Sequence, residues 1–92
     1  MTSVADPYSP TETLALQIAK EVERARSMFP SIHNMHEGLG VIREEYIEFE
    51  KEVFAFNLRK GRDTRAKART ELIQLAAMAI RTIMDCELSE SV

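Results

Sequence analysis

The chain has 92 residues, of which 45% are apolar and 29% charged, and its formal net charge is −3. A chain of this length forms one domain with a small core, since it buries only about 60–65% of the surface of its unfolded state. The composition is typical of a folded soluble protein, and the modest charge provides no general attraction to nucleic acid or anionic membranes. The single Cys86 excludes an intramolecular disulfide and indicates a reducing compartment.

Membrane and secretion signals are missing from the sequence. No apolar run approaches the roughly 20 residues of a membrane span, and the first ten residues lack the pattern of a signal peptide. We therefore expect a cytoplasmic protein with no membrane partner. Residues 1–9 are expected to be flexible, residues 10–86 to form a single all-α domain, and residues 87–92 to be a frayed tail.

Three helices are predicted from apolar spacing and cap residues. Helix one begins after the Ser9 cap, has Pro10 in its first position and Glu12 in a capping box, and extends to about Met28. Its predicted buried stripe has the three-four spacing of one helix face and consists of Leu14, Ile18, Val22, Ala25 and Phe29.

Helix two is predicted from about Met35 to Arg59, with Asn34 as its cap and with Gly38 and Gly40 near its start, where another backbone or a ligand can come close. Its apolar arc, in which Tyr46 and Phe49 are expected to be core residues, consists of Met35, Leu39, Ile42, Tyr46, Phe49, Val53 and Phe56. The neighbouring arc carries the carboxylates Glu37, Glu44, Glu45, Glu48 and Glu52.

Helix three is expected to follow a basic linker over residues 59–63, with Asp63 or Thr64 as its cap, and to reach about Asp85. From Leu72 to Ile80 it is apolar on nearly every side. Such a helix is normally buried all round, which a single three-helix domain cannot achieve. The sequence therefore predicts a small bundle of about three helices that is completed by homo-oligomerisation through helix three.

The carboxylates of helix two are placed to share a metal ion. Residues three or four apart on a helix share a face, as Glu45 and Glu48 do, and Glu48 and Glu52 as well. Glu71 and Gln74 can complete the site from helix three, because packed helix axes lie roughly 8–10 Å apart. Oxygen ligands suit Mg²⁺ or Mn²⁺. A solvated acidic helix face is the alternative interpretation.

These acidic positions resemble the signature of the all-α nucleoside-triphosphate pyrophosphohydrolase superfamily, the MazG-like proteins. That signature is E-E-x-x-E on one helix and E-x-x-D on the next, and here Glu44-Glu45-Tyr46-Ile47-Glu48 precedes Glu71-Leu72-Ile73-Gln74. The resemblance covers roughly residues 36–85. It implies hydrolysis of a nucleoside triphosphate to the monophosphate and pyrophosphate, with Mg²⁺ or Mn²⁺, in a dimer or tetramer.

Carried over by position, the metal ligands would be Glu45, Glu48 and Glu71, and Gln74 would replace the family's Asp at the cost of one negative charge. A symmetric hairpin centred on Arg62 instead brings Glu48 and Glu52 closest to Glu71, so Glu52 is a further candidate ligand. Glu44 or Glu45 is the candidate catalytic base that would accept the proton of the attacking water.

Candidate phosphate contacts are the basic residues Arg81, Lys67 and Arg62, although a solvated helix turn is an alternative interpretation of the linker. Nucleic acid is not an expected partner, since no aromatic residue interleaves these charges to stack on bases. The alternative function is a non-catalytic helical oligomer on the same scaffold. It would act as a nucleotide sensor or partner-binding module, with Gln74 marking a degraded site.

Overall fold

The computed structural model describes residues 7–59 and 62–88 of the chain. These residues form α1 (Pro10–Met28), α2 (Met35–Arg59) and α3 (Arg62–Asp85), with no strand among them. The predicted all-α fold is therefore confirmed. Within these ranges, no helix combines the length and the apolarity required to cross a bilayer.

Local capping interactions place the starts of α1 and α2 where the sequence predicts them. The Ser9 hydroxyl accepts a hydrogen bond from the Glu12 backbone N–H at 3.1 Å, and Glu12 Oε1 accepts one from the Ser9 N–H at 3.1 Å. This is the predicted capping box. At the start of α2, Asn34 Oδ1 accepts a hydrogen bond from the Glu37 N–H at 2.9 Å. Both caps satisfy backbone donors that a helix leaves unpaired at its N-terminus.

The start of α3 differs from the prediction, whereas its end at Asp85 agrees with it. The helix begins at Arg62, so the predicted caps lie inside its first turn. At the other end, Glu87 has a φ of 56°, and the Leu88 N–H donates to the Ile83 carbonyl at 2.9 Å, as in a Schellman motif. The first two residues of the predicted frayed tail therefore close the last turn of α3. The rest of that tail and residues 1–6 of the predicted flexible segment lie outside the described residues.

The three helices are arranged around α3. Both α1 and α2 pack against α3, and within the described part of the chain no Cα atom of α1 lies within 8 Å of one in α2. The buried core consists of Val22 and Ala25 from α1 with Ala77 and Met78 from α3, and half-buried residues of α1 and α2 pack against it. As a result, α1 and α2 form the two walls of a cleft whose floor is α3.

Much of the apolar surface is exposed in the single chain. Leu14 and Phe29, at the ends of the α1 stripe, are exposed because α1 is buried against α3 only near its middle, so the prediction of a fully buried stripe was wrong there. Tyr46, predicted to be core, is 52% exposed because its arc of α2 faces away from α3. Other exposed apolar residues are Met35, Leu39 and Val53 in α2, and Leu72, Ile80, Ile83 and Met84 in α3.

Candidate metal centre

Three glutamates meet where α2 packs against α3. Glu45 and Glu48 lie one turn apart on α2 and face Glu71 on α3, and each contributes a carboxylate oxygen to a group in which these atoms all lie within 4.8 Å of one another. Glu45 and Glu71 are half-buried, whereas Glu48 is exposed. The packing of the two helices thus brings together three of the residues that the sequence identifies as candidate metal ligands.

Gln74 adjoins this cluster from the next part of α3. One end of its side-chain amide lies 3.2 Å from Glu45 Oε2 and 3.2 Å from Glu71 Oε2. With its nitrogen at this end, Gln74 donates a hydrogen bond to each carboxylate; with its oxygen there, it offers a neutral ligand to a cation. Gln74 therefore occupies the position expected of a fourth ligand, without the charge that Asp would contribute.

Two carboxyl groups of the cluster have raised pKa values. Burial, together with the neighbouring Glu48 and Glu45, raises the pKa of Glu71 to about 7. Burial and then the charge of Glu48 also raise the pKa of Glu45. Glu71 is therefore protonated in about half of the molecules at pH 7 and in most of them at lower pH. A divalent cation would take the place of that proton and remove the repulsion among the carboxylates.

The register between α2 and α3 explains which glutamates meet. A Cβ at Gly38 would lie 2.5 Å from Thr82 Cγ2, and Glu45 lies against Gln74. These two pairs have their midpoint near residue 60, two residues before the Arg62 midpoint assumed for a symmetric hairpin. Because of this shift, the α2 residues opposite Glu71 lie about one turn earlier in the sequence than the symmetric hairpin predicts. This register agrees with the pairing implied by the MazG-like motif.

Two other acidic candidates lie outside the three-glutamate group. Glu52 is half-buried and lines a separate groove with Thr64 and Leu72, so the register does not bring it to the cluster as the symmetric hairpin predicts. Glu44 is exposed and lines a cavity next to the cluster. Of the two residues predicted as catalytic bases, Glu44 thus remains outside the ligand group, while Glu45 is part of it.

A cavity of about 520 Å³ opens between α1 and α2 next to the carboxylates. Glu45 and Gln74 belong both to the cluster and to the wall of this cavity. Its volume falls within the roughly 300–1,000 Å³ of small-molecule binding sites. Apolar side chains supply much of the wall, namely Ala25, Phe29, Pro30, Ile32, Val41 and Met78.

Sequence reasoning missed the α1 side of this cavity. Arg24 Nε donates to Glu21 Oε1 at 2.8 Å, and its Nη2 donates to Oε2 at 2.5 Å. This pairing lowers the pKa of Glu21, whose charge in turn helps to raise the pKa of Glu45. Glu21 and Arg24 lie next to Val22 and Ala25 in the sequence, at the polar border of the α1 stripe, and that border position was the available signal.

The connection between α1 and α2 contributes a histidine to the cavity. His33 lines the cavity, and its Nδ1 lies 3.2 Å from Glu37 Oε2. Both side chains are substantially exposed. The connection therefore places a histidine and a carboxylate at the cavity entrance.

The predicted phosphate contacts have different surroundings. Arg81 lines the cavity but is only 4% exposed; its Nη2 donates to the Pro30 carbonyl at 2.8 Å, and its Nε is buried without a partner in the described part of the chain. Lys67 is exposed one turn before Glu71 and does not line the cavity. The side chain of Arg62 lies outside the described residues. Arg81 is thus the predicted cation that the fold brings to the cavity.

No protein-family model matches the chain, and no curated protein or solved structure is significantly similar to it. We therefore describe the chain by its helices, its carboxylate cluster and its cavity. The chain is a small all-α protein with a three-glutamate cluster between two helices and a ligand-sized cavity beside it.

Proposed function

We propose that this protein is a metal-dependent nucleotide pyrophosphohydrolase that cleaves a nucleoside triphosphate into the monophosphate and pyrophosphate. The observation that carries the proposal is the convergence of Glu45, Glu48 and Glu71 within 4.8 Å beside a cavity of about 520 Å³. The same three glutamates correspond to acidic positions of the MazG-like motif. Geometry and motif therefore support the same set of ligands.

The donor set fits Mg²⁺ or Mn²⁺. Oxygens on opposite sides of one Mg²⁺ are separated by about 4.2 Å, since each lies about 2.1 Å from the ion, and the three carboxylates need little movement to reach such positions. The raised pKa values of Glu45 and Glu71 also favour a cation, because its charge offsets the repulsion that disfavours their ionised forms. Gln74 would add an amide oxygen to this set.

The residues around the cluster have distinct proposed roles. When bound, the metal supplies Lewis acidity toward phosphate oxygens and makes a coordinated water more acidic. Glu44 is exposed at the cavity wall outside the ligand group, where its carboxylate is placed to accept a proton from water. Arg24 of the α1 wall and Arg81 of the α3 floor are the arginines that line the cavity; they are the candidate contacts for a polyanionic substrate, and each is paired with a carboxylate in its absence. Lys67 and Arg62 remain candidates for a longer phosphate chain.

The proposal extends to the assembly and its setting. A homo-oligomer in the cytoplasm would cover the apolar outer face of α3, on which Leu72, Ile80 and Ile83 are exposed. Covering apolar surface of this kind stabilises association. The absence of a glycine-rich phosphate loop in the sequence is consistent with carboxylate-held metal as the means of binding phosphate.

The test is thermal unfolding with and without millimolar Mg²⁺ or Mn²⁺, alone and with a panel of nucleoside triphosphates, with pyrophosphate release measured in the same samples. A ligand of the folded state raises the melting temperature. We expect a metal-dependent increase that one nucleotide enlarges, and we expect Glu48→Gln to abolish both the increase and the pyrophosphate release. Glu23→Gln, an exposed change on α1, is the matched control. No melting shift with either metal would contradict the metal site.

One observation favours a second candidate function. Gln74 can donate hydrogen bonds to both Glu45 and Glu71, and the raised pKa of Glu71 lets a proton offset part of the repulsion, so the cluster also has partners without a metal. On this alternative, the protein is a non-catalytic nucleotide sensor or partner-binding module. Glu48→Gln would then leave stability unchanged or raise it in the presence of Mg²⁺, because it only removes repulsion.

A further inference from the structure

The apolar arc of α2 has the spacing of a coiled-coil seam. Its residues follow one another in alternating steps of four and three: Met35, Leu39, Ile42, Tyr46, Phe49 and Val53. This is the a/d pattern by which one helix packs lengthwise along another. At 1.5 Å per residue the seam extends over about 27 Å of helix.

Within the described residues, no other part of the chain covers this seam. Met35, Leu39 and Tyr46 are 61%, 53% and 52% exposed. Ile42 and Phe49 are only half-buried, at the edge of the contact with α3. The helix α1 packs against α3 and reaches the seam only at Ile42, which adjoins the core. An apolar stripe of this length on a soluble protein marks an interaction surface.

The charges that flank the seam are informative about the partner. On the flank away from α3, Arg43 follows Ile42 and Glu50 follows Phe49, so the two charges are opposite in sign and seven residues apart. Both are exposed, and neither has an ion-pair partner among the residues that the structure describes. Glu45 lies on the other flank, which faces α3.

We propose that a second copy of this chain covers the seam, with the two α2 helices antiparallel about a two-fold axis between Tyr46 and Ile47. Arg43 of each copy then lies opposite Glu50 of the other, so the symmetry forms the same ion pair twice. In a parallel arrangement, a residue that precedes a seam position on one helix faces a residue that follows a seam position on the other. Glu45 would then lie opposite Glu50 of the second copy, so that like charges would meet. The flanking charges therefore select an antiparallel dimer.

A groove at the end of the seam supports the same arrangement. Val53 of α2 and Leu72 and Ala68 of α3 line a groove of about 420 Å³. The antiparallel axis brings the segment from Leu39 to Ile42 of the second copy to this groove, where its apolar side chains can pack. The exposed outer face of α3 continues the surface beyond Leu72, so α3 borders this interface while α2 supplies its centre.

The test compares Arg43→Glu and Glu50→Arg by sedimentation velocity and native mass spectrometry. We expect the unmodified protein to be a dimer, and each single variant to dissociate with a Kd larger by about tenfold or more, because two like-charged contacts replace two ion pairs. An equimolar mixture of the two variants should form a heterodimer at least as tight as the unmodified dimer, since both of its contacts again join opposite charges. Circular dichroism should report unchanged helicity, because both side chains are exposed.

Matched controls are Arg26→Glu and Glu23→Arg, the same exchanges at exposed positions of α1, which should leave the dimer intact. The proposal is overturned if the unmodified protein is monomeric at its highest soluble concentration, or if both single variants dimerise as tightly as it does. It is also overturned if the mixture forms no heterodimer. Dissociation by Ile83→Lys with no effect of the α2 exchanges would assign the interface to the outer face of α3 instead. None of these outcomes depends on the metal site.

Discussion

Arg81 and Asp85, one turn apart on α3, hold the two ends of the segment 30–32 that connects α1 to α2. Arg81 Nη2 donates to the Pro30 carbonyl at 2.8 Å, and Asp85 Oδ2 accepts from the Ile32 N–H at 2.9 Å. The two charged groups lie 3.8 Å apart, and each side chain is 5% exposed. This pair therefore fixes the connection between α1 and α2, and with it one wall of the cavity, to α3.

Asp85→Ala should lower the free energy of unfolding by about 3 kcal/mol or more, because it leaves the buried Arg81 charge uncompensated and removes the acceptor for Ile32. Urea unfolding followed by circular dichroism measures the loss. The double variant Arg81→Met/Asp85→Ala should recover part of it, since no buried charge remains. A loss below about 1 kcal/mol, within the range of surface ion pairs, would show that the pair is not structural.

Gly38→Ala should destabilise the protein by about 1–3 kcal/mol, although alanine favours a helix by about 1 kcal/mol over glycine. The new Cβ would lie 2.5 Å from Thr82 Cγ2, and Thr82 is buried and β-branched, with its Oγ1 donating to the Met78 carbonyl at 2.8 Å. The side chain therefore cannot turn away without losing that bond.

Gly40→Ala is the matched control for this contact, and chemical unfolding measures both variants. A Cβ at Gly40 meets nothing within 4 Å, so we expect a gain of up to about 1 kcal/mol from helix propensity alone. Equal effects of the two substitutions would mean that Gly38 does not set the distance between α2 and α3.

The metal-free protein should lose stability as the pH rises from about 4.5 to 7. The pKa of Glu71 is about 7 in the folded protein against 4.5 for the free group, so the folded state binds this proton more tightly. Its contribution is fully present below about pH 4.5 and is lost as the pH rises through 7. Urea unfolding at several pH values, in buffer that contains a chelator, measures this contribution when the unmodified protein is compared with Glu71→Gln.

The amide in Glu71→Gln cannot ionise, so its unfolding free energy should fall less over that pH interval. Added Mg²⁺ should act in the opposite sense, with a stabilising effect that grows as the pH rises, because the metal binds the ionised carboxylates. Parallel pH profiles for the two proteins would show that Glu71 does not hold the proton.

Gln74→Asp should tighten Mg²⁺ binding by about tenfold, because it adds a charged ligand oxygen to the cluster. The same substitution should lower the stability of the metal-free protein, since another carboxylate then joins Glu45 and Glu71. Titration calorimetry and thermal unfolding measure the two effects. Thr70→Asp adds an equal charge at an exposed position of the same helix and is the control. Equal Mg²⁺ affinity in both variants would place Gln74 outside the site.

Local signals predicted the parts of the structure that depend on neighbouring residues. Ser9 and Glu12 form their capping box, and Asn34 caps α2, because each of these contacts spans only three residues. The shared face of Glu45 and Glu48 likewise follows from the helical period alone. The choice of Glu45 over Glu52 as a partner of Glu71 needed the motif resemblance, since periodicity does not set the register between two helices.

Three helices, two of their caps and the grouping of the carboxylates on one arc of α2 follow from the order of the residues, because these features depend on local hydrogen bonding and on the helical repeat. The register between α2 and α3 depends instead on how the helices pack, through the close approach of Gly38 to Thr82, and this register sets which glutamates meet Glu71. The packing also sets α1 and α2 apart, leaving a cavity that Arg81 borders. The hydrophobic effect has no preferred direction. An apolar arc therefore shows that a helix face avoids water, whereas the packing of all three helices decides which surface covers that face.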